Sequence, residues 1–169
     1  DGVERPVEAA GCTGVEAGRF SSDGHRLYTE AELSCAGDVG QRTRGLIAMV
    51  DRDAWVEIRS MGVGDRSVAW VKRYASAPPS RVAAAGLAGE LGTGPSRAVE
   101  AARMAASARI TVDEVIEAHA RTDAEAVRSW IAEQGQPLRL DADRLVELAD
   151  AGVPAEVIDV AVAVSFPER

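Results

Sequence analysis

The chain has 169 residues, with 27 acidic and 19 basic side chains and a formal charge of −8. At 46% hydrophobic and 27% charged it has the balance of a globular protein, which excludes disordered and fibrous classes. No apolar run approaches the ~20 residues of a membrane-spanning helix, and an acidic chain without a basic cluster repels phosphate backbones, so nucleic acid is not expected as a partner.

Strand signals fill residues 1–77. Cys12 and Cys35 are the only cysteines, and neither sits in a CxxC or CxxCH pattern. They flank turn residues and an alternating segment, which predicts a structural disulfide worth about 3 kcal/mol through the unfolded chain. Such a bond implies an oxidising compartment, periplasmic or extracellular; the alternative is two reduced, buried thiols. The chain opens on Asp1 rather than Met, which fits removal of an upstream secretory signal.

Residues 15–20 form a candidate strand, followed by Ser21, Ser22, Asp23 and Gly24 as a turn. Over 26–35, Leu27, Thr29, Ala31, Leu33 and Cys35 alternate with Tyr28, Glu30, Glu32 and Ser34. That period of two predicts a strand with one buried and one wet face. Further strands are predicted over 45–50, 55–61 and 68–74, about five in all, as an antiparallel meander or small sandwich. Trp55, Trp70 and Tyr74 put aromatics on these strands, as cross-strand pairs or core, or as a platform for a small ligand.

Ala75 to Pro79 break the strand pattern, because consecutive prolines cannot join a ladder. Residues 78–109 therefore read as a Pro/Gly/Ala-rich linker with helices over 81–91 and 96–108. The glycines there do not form a phosphate loop, since the preceding strand and the Lys-Ser/Thr pair are missing.

Residues 110–169 carry sharper signals. Thr111 and Glu114 spell a capping box, with Ile110 and Val115 as its staple, and Leu140, Asp141 and Leu145 repeat the pattern. Register 110–131 against 140–161 without a gap also matches Asp113 with Asp143, Glu117 with Glu147 and Val127 with Val157. Each unit (110–137 and 138–169) is expected to be two short helices. The first turns near Arg121-Thr122-Asp123, where Thr122 and Glu125 suggest a second capping box, and the second at Ala151-Gly152-Val153-Pro154. The expected class is α+β: a small disulfide-pinned antiparallel domain followed by an all-α domain of tandem helical hairpins.

The stretch 138–168 resembles the C-terminal segment of a family of uncharacterised bacterial exported proteins. Leu145, Leu148, Ala149, Asp150, Ala151, Gly152, Val153 and Pro154 match its pattern, as do Val157, Ile158, Asp159, Ser165, Phe166 and Pro167. Ala161 departs from it, where Met is expected. The resemblance implies a helical segment and an exported location; it carries no activity.

No residues assemble a catalytic motif, a cofactor site or a metal site. His25 and His119 lack ligand spacing such as HExxH, and no nucleophile elbow accompanies Ser21, Ser22, Asp23 and His25. Asp141, Asp143, Glu147 and Asp150 lack the glycine and terminal Glu of a calcium loop and instead suit a helix start. The expectation is a non-catalytic binding or assembly module, an accessory subunit with protein partners, a membrane-associated complex among them. Its candidate partner-binding residues are Trp55, Trp70, Tyr74, Val160, Val164 and Phe166, the last three because the final helix is apolar nearly all round. A hydrolase-like enzyme and a small-ligand binder on the aromatic strand face are the alternatives.

Overall fold

The computed structural model describes residues 2–9, 11–37, 39–63, 66–87, 100–101, 103–104, 106 and 109–168. Alternating side chains and tight turns build six strands: β1 (Arg5–Ala9), β2 (Cys12–Phe20), β3 (Arg26–Cys35), β4 (Val39–Asp51), β5 (Ala54–Val63) and β6 (Arg66–Ala75). They pair antiparallel in chain order as one open meander. At the β2–β3 turn the Gly24 N–H donates to the Ser21 carbonyl at 2.9 Å, with Gly24 at φ +75°, a conformation natural to glycine.

This is one strand more than the sequence pattern predicts. β1 is short and carries Pro6, which an edge strand tolerates because only one side of it needs a ladder. β4 also begins earlier than the apolar run at Gly45. Its polar start is held across the strands, with Arg42 2.9 Å from Glu32 and Arg44 3.1 Å from Glu30. Cys12 and Cys35 are disulfide-bonded and close the open ends of β2 and β3, one step beyond the Thr13–Ser34 pair.

Five helices are described in full: α1 (Pro79–Ala84), α2 (Val112–Arg121), α3 (Ala124–Gln134), α4 (Ala142–Asp150) and α5 (Ala155–Ser165). α1 is shorter than the expected 81–91, because the chain turns out at Gly86, where the Leu87 N–H closes on the Val82 carbonyl at 3.2 Å. Most of the helix expected over 96–108 lies outside the described residues, although Glu100, Ala101, Arg103 and Met104 are helical.

The capping box at Thr111 and Glu114 is formed, and Asp141 caps α4 by accepting the Arg144 N–H at 2.9 Å. The second box at Thr122 and Glu125 is not formed. Thr122 is buried at the end of α2, and Asp123 becomes the residue before α3 without capping it. The Asp123 carboxylate instead accepts the Ser60 hydroxyl from β5 and lies 3.4 Å from Arg44 of β4, tethering α3 to the sheet. α4 ends as expected, with Gly152 left-handed and the Val153 N–H donating to the Leu148 carbonyl at 3.0 Å.

α3 lies across β4, β5 and β6 and also packs on α5, while α2 and α4 touch each other. Tyr28, Leu46, Ala48, Val56 and Ile58 from the sheet form one continuous core with Val115, Val127, Trp130, Ile131, Leu148 and Val157. The protein is therefore α+β, built on a six-stranded antiparallel sheet, and the helical segment does not stand as a clear all-α domain. Helices of 9 to 11 residues have little interior of their own, and the sheet supplies the surface they bury against.

Candidate binding surface

Strand pairing divides the sheet into two faces. One row runs through Tyr28, Leu46 and Ile58 and another through Arg26, Ala48 and Val56, and these are the residues the helices bury. Composition alone favours the Leu27 side for burial, yet Leu27 is on the opposite face. That face pairs Phe20 with Leu27 and Ile47, Met49 with Trp55 and Tyr74, Arg59 with Trp70, and Met61 with Val68. None of these side chains belongs to the core, and Phe20, Val68 and Tyr74 are 57%, 53% and 37% exposed. The described helices leave this half-exposed apolar sheet face uncovered.

Its aromatic end lies on β5 and β6. The Trp55 and Tyr74 rings stack at 5.3 Å and 11°. The Tyr74 hydroxyl donates to Glu57 Oε2 at 2.8 Å, and Arg59 Nε lies 2.5 Å from the same carboxylate. The Tyr74 hydrogen bond holds the Glu57 carboxyl below its usual range against the opposing effect of burial, with Arg59 adding to it. At the other end a depression of about 390 Å³ is lined by Arg5, Glu16, Gly18, Leu27, Thr29 and Arg59.

The structure thus gathers Trp55, Trp70 and Tyr74 on one surface and places Val160, Val164 and Phe166 elsewhere. Val160 and Val164 are half-buried on α5 against the common core, and Phe166 is half-buried at the end of that helix. Of the apolar run of α5, Val157 and Ala161 are buried, Ile158, Val160, Val162 and Val164 are half-buried, and Ala163 is exposed. Phe20, Leu27, Ile47, Met49 and Val68 join the aromatic trio instead. Of these, only Leu27 belongs to the alternating segment 26–35, and alternation cannot say which face is covered.

A second cluster pins the sheet to α2. Arg26, only 5% exposed, reaches Glu114 at 2.5 Å, Asp23 at 2.9 Å and Glu117 at 3.6 Å, and its guanidinium lies 5.2 Å from the centre of the Trp130 ring. Glu117 also accepts the Ser22 N–H at 2.8 Å. Burial raises the cost of ionising Asp23, but hydrogen bonds from Ser21 and from the His25 N–H, with the charges of Arg26 and His25, hold its carboxyl below the usual aspartate range. Burial pushes the neighbouring Tyr28 hydroxyl up to about 12. Ser21 donates to Asp23 at 2.5 Å and His25 Nδ1 lies 3.5 Å from the other oxygen of Asp23. The carboxylate, not the imidazole, receives the serine hydroxyl, which is not the order that activates a nucleophile.

Glu147, from the acidic series at α4, is paired with Arg144 at 2.5 Å. Among the described residues no group of three or more His, Cys, Asp or Glu side chains converges to hold a metal ion, and no helix is long and apolar enough to cross a membrane. No family model, curated protein or solved structure matches the chain.

Proposed function

We propose that the protein is a non-catalytic exported binding or assembly module, an accessory subunit of an envelope-associated complex, docking through the aromatic end of its bare sheet face. The observation that carries this is the patch formed by Trp55, Trp70, Tyr74 and Val68, which leaves large apolar side chains half-exposed on rigid, hydrogen-bonded strands. Aromatic anchors on a preorganised scaffold bind at small entropic cost. The Cys12–Cys35 bond supports a periplasmic or extracellular location, and the resemblance of residues 138–168 to exported proteins points the same way. We also read α2–α3 and α4–α5 as two hairpin units that brace the sheet from behind.

Affinity isolation from the native envelope tests this. The wild-type chain is expected to bring down one stoichiometric partner, Val68→Glu and Trp70→Glu to lose it, and Val146→Glu, on the exposed side of α4, to keep it. Recovery of a clean monomer, or equal recovery by all variants, overturns the assignment.

A further inference from the structure

We infer that the outer edge of β6 is where the partner attaches, and that the occupant is an extended segment of an acidic protein, added to the sheet as a further strand with two consecutive acidic residues against Lys72 and Arg73. This rests on the binding-module assignment and specifies the partner's chemistry.

The two edges of the sheet are built differently. β1 has five residues, one of them Pro6, and a short proline-bearing edge is poor at accepting another strand. β6 has ten residues and no proline. It pairs with β5 along its whole inner side, from Val63 opposite Arg66 to Ala54 opposite Ala75. Its outer side has no backbone partner among the described residues. Residues 71–75 are exposed without interruption. Val68 and Tyr74 point to the bare face and Val71 to the helix face, at 53%, 37% and 38% exposure. An edge whose N–H and C=O groups take no backbone partner among the described residues, with apolar side chains on both faces, is a template for strand addition.

Charge selects the occupant. Lys72 is the only lysine of the chain, Arg73 follows it, and β6 contains no acidic residue although the chain has 27. Lys72 lies on the bare face opposite Glu57, and Arg73 on the other face, 3.1 Å from Glu133 and about half exposed. A guanidinium has five donors, so Glu133 leaves room for a second carboxylate. Two copies of β6 set edge to edge would bring these cations into one ribbon without an acid between them, which disfavours self-pairing, and a basic strand is rejected on the same ground. Successive strand residues point to opposite faces, so one acid meets Lys72 and the next meets Arg73. The residues beyond them meet Val71, Trp70, Ala69 and Val68 and are best β-branched or aromatic. An antiparallel segment enters acids first, and a parallel one enters acids last.

Fluorescently labelled peptides carrying Glu-Asp before or after Val-Tyr-Val-Thr provide the probe, read by anisotropy with the disulfide-bonded chain. One of the two orders is expected to bind, and replacing its acidic pair by Lys-Lys should weaken it roughly tenfold, two cross-strand charge pairs being at stake. A chain carrying Lys72→Glu and Arg73→Glu should invert that preference. N-methylation of the peptide amides facing β6 should abolish binding, whereas methylation of the alternate amides should be tolerated. Equal tolerance of both methylated series, binding indifferent to charge, or a dimer broken by Lys72→Glu overturns the inference. If no peptide binds while Trp70→Glu still releases the envelope partner, strand addition fails and the binding module stands. If Trp70→Glu releases nothing either, both fall.

Discussion

Among the described residues, Arg26 has the most ion-pair partners. It is the first residue of β3, it is almost fully buried, and it holds carboxylates from its own turn and from α2 while lying over Trp130. A buried charge group is costly to break because the remaining partners lose their compensation. Arg26→Ala should therefore destabilise the protein by about 3 kcal/mol or more. Glu114→Gln should cost clearly less, since Arg26 keeps Asp23 and Glu117. Urea unfolding midpoints of the two variants test this ranking, and an Arg26→Ala variant as stable as the wild type would show that water satisfies the cluster. None of this was visible in the sequence, where Arg26 opens an alternating segment as an ordinary polar residue. The periodicity of β3 was legible because pleating imposes it locally. Which face is covered depends on partners 88 and more residues away, and composition pointed to the Leu27 side.

Local chemistry was most legible where it is satisfied within a few residues. The Thr111 capping box, the Asp141 cap and the Gly152 turn all close over three to five residues, so their motifs sufficed. The box at Thr122 is not formed because the helix start falls one residue later, at Asp123, whose carboxylate is held by Ser60 and Arg44 of the sheet, while Thr122 is buried. The same contrast governs the β2–β3 hairpin, whose ladder runs from Thr13–Ser34 to Phe20–Leu27. The Cys12–Cys35 bond closes this hairpin at its open end, across a separation of 23 residues. It restricts the unfolded chain, and its loss through Cys12→Ser with Cys35→Ser should lower stability by about 3 kcal/mol. Because the ladder survives, the variant should still fold. Thermal melts with and without reductant decide the matter: the wild type should drop to the variant's midpoint on reduction, and the variant should not move. A reductant-insensitive wild type would mean that the bond contributes nothing to stability.

For the molecule as a whole, the division into a strand half and a helix half describes the sequence better than it describes the packing. Residues 1–77 carry 12 acidic and 10 basic side chains and residues 78–169 carry 15 and 9, so the excess acid belongs mainly to the C-terminal half of the sequence. The core, however, crosses that division: Tyr28, Leu46, Val56 and Ile58 are buried against Trp130, Ile131 and Val127, and α3 touches three strands. Removing the helices would expose one full sheet face beside a face that is already bare, and an antiparallel sheet needs at least one face covered to be stable. The helices in turn are too short to hold themselves together. Sheet and helices should consequently unfold in a single transition. Far-ultraviolet circular dichroism, which follows the helices, and the near-ultraviolet signal of Trp55, Trp70 and Trp130, which follows packing, should share one urea midpoint. A chain cut to residues 110–169 should show little helix in water. Two separated midpoints, or a folded 110–169 fragment, would mean that the helices carry a core of their own and that the bare sheet face is only one of two surfaces the strand half can offer a partner.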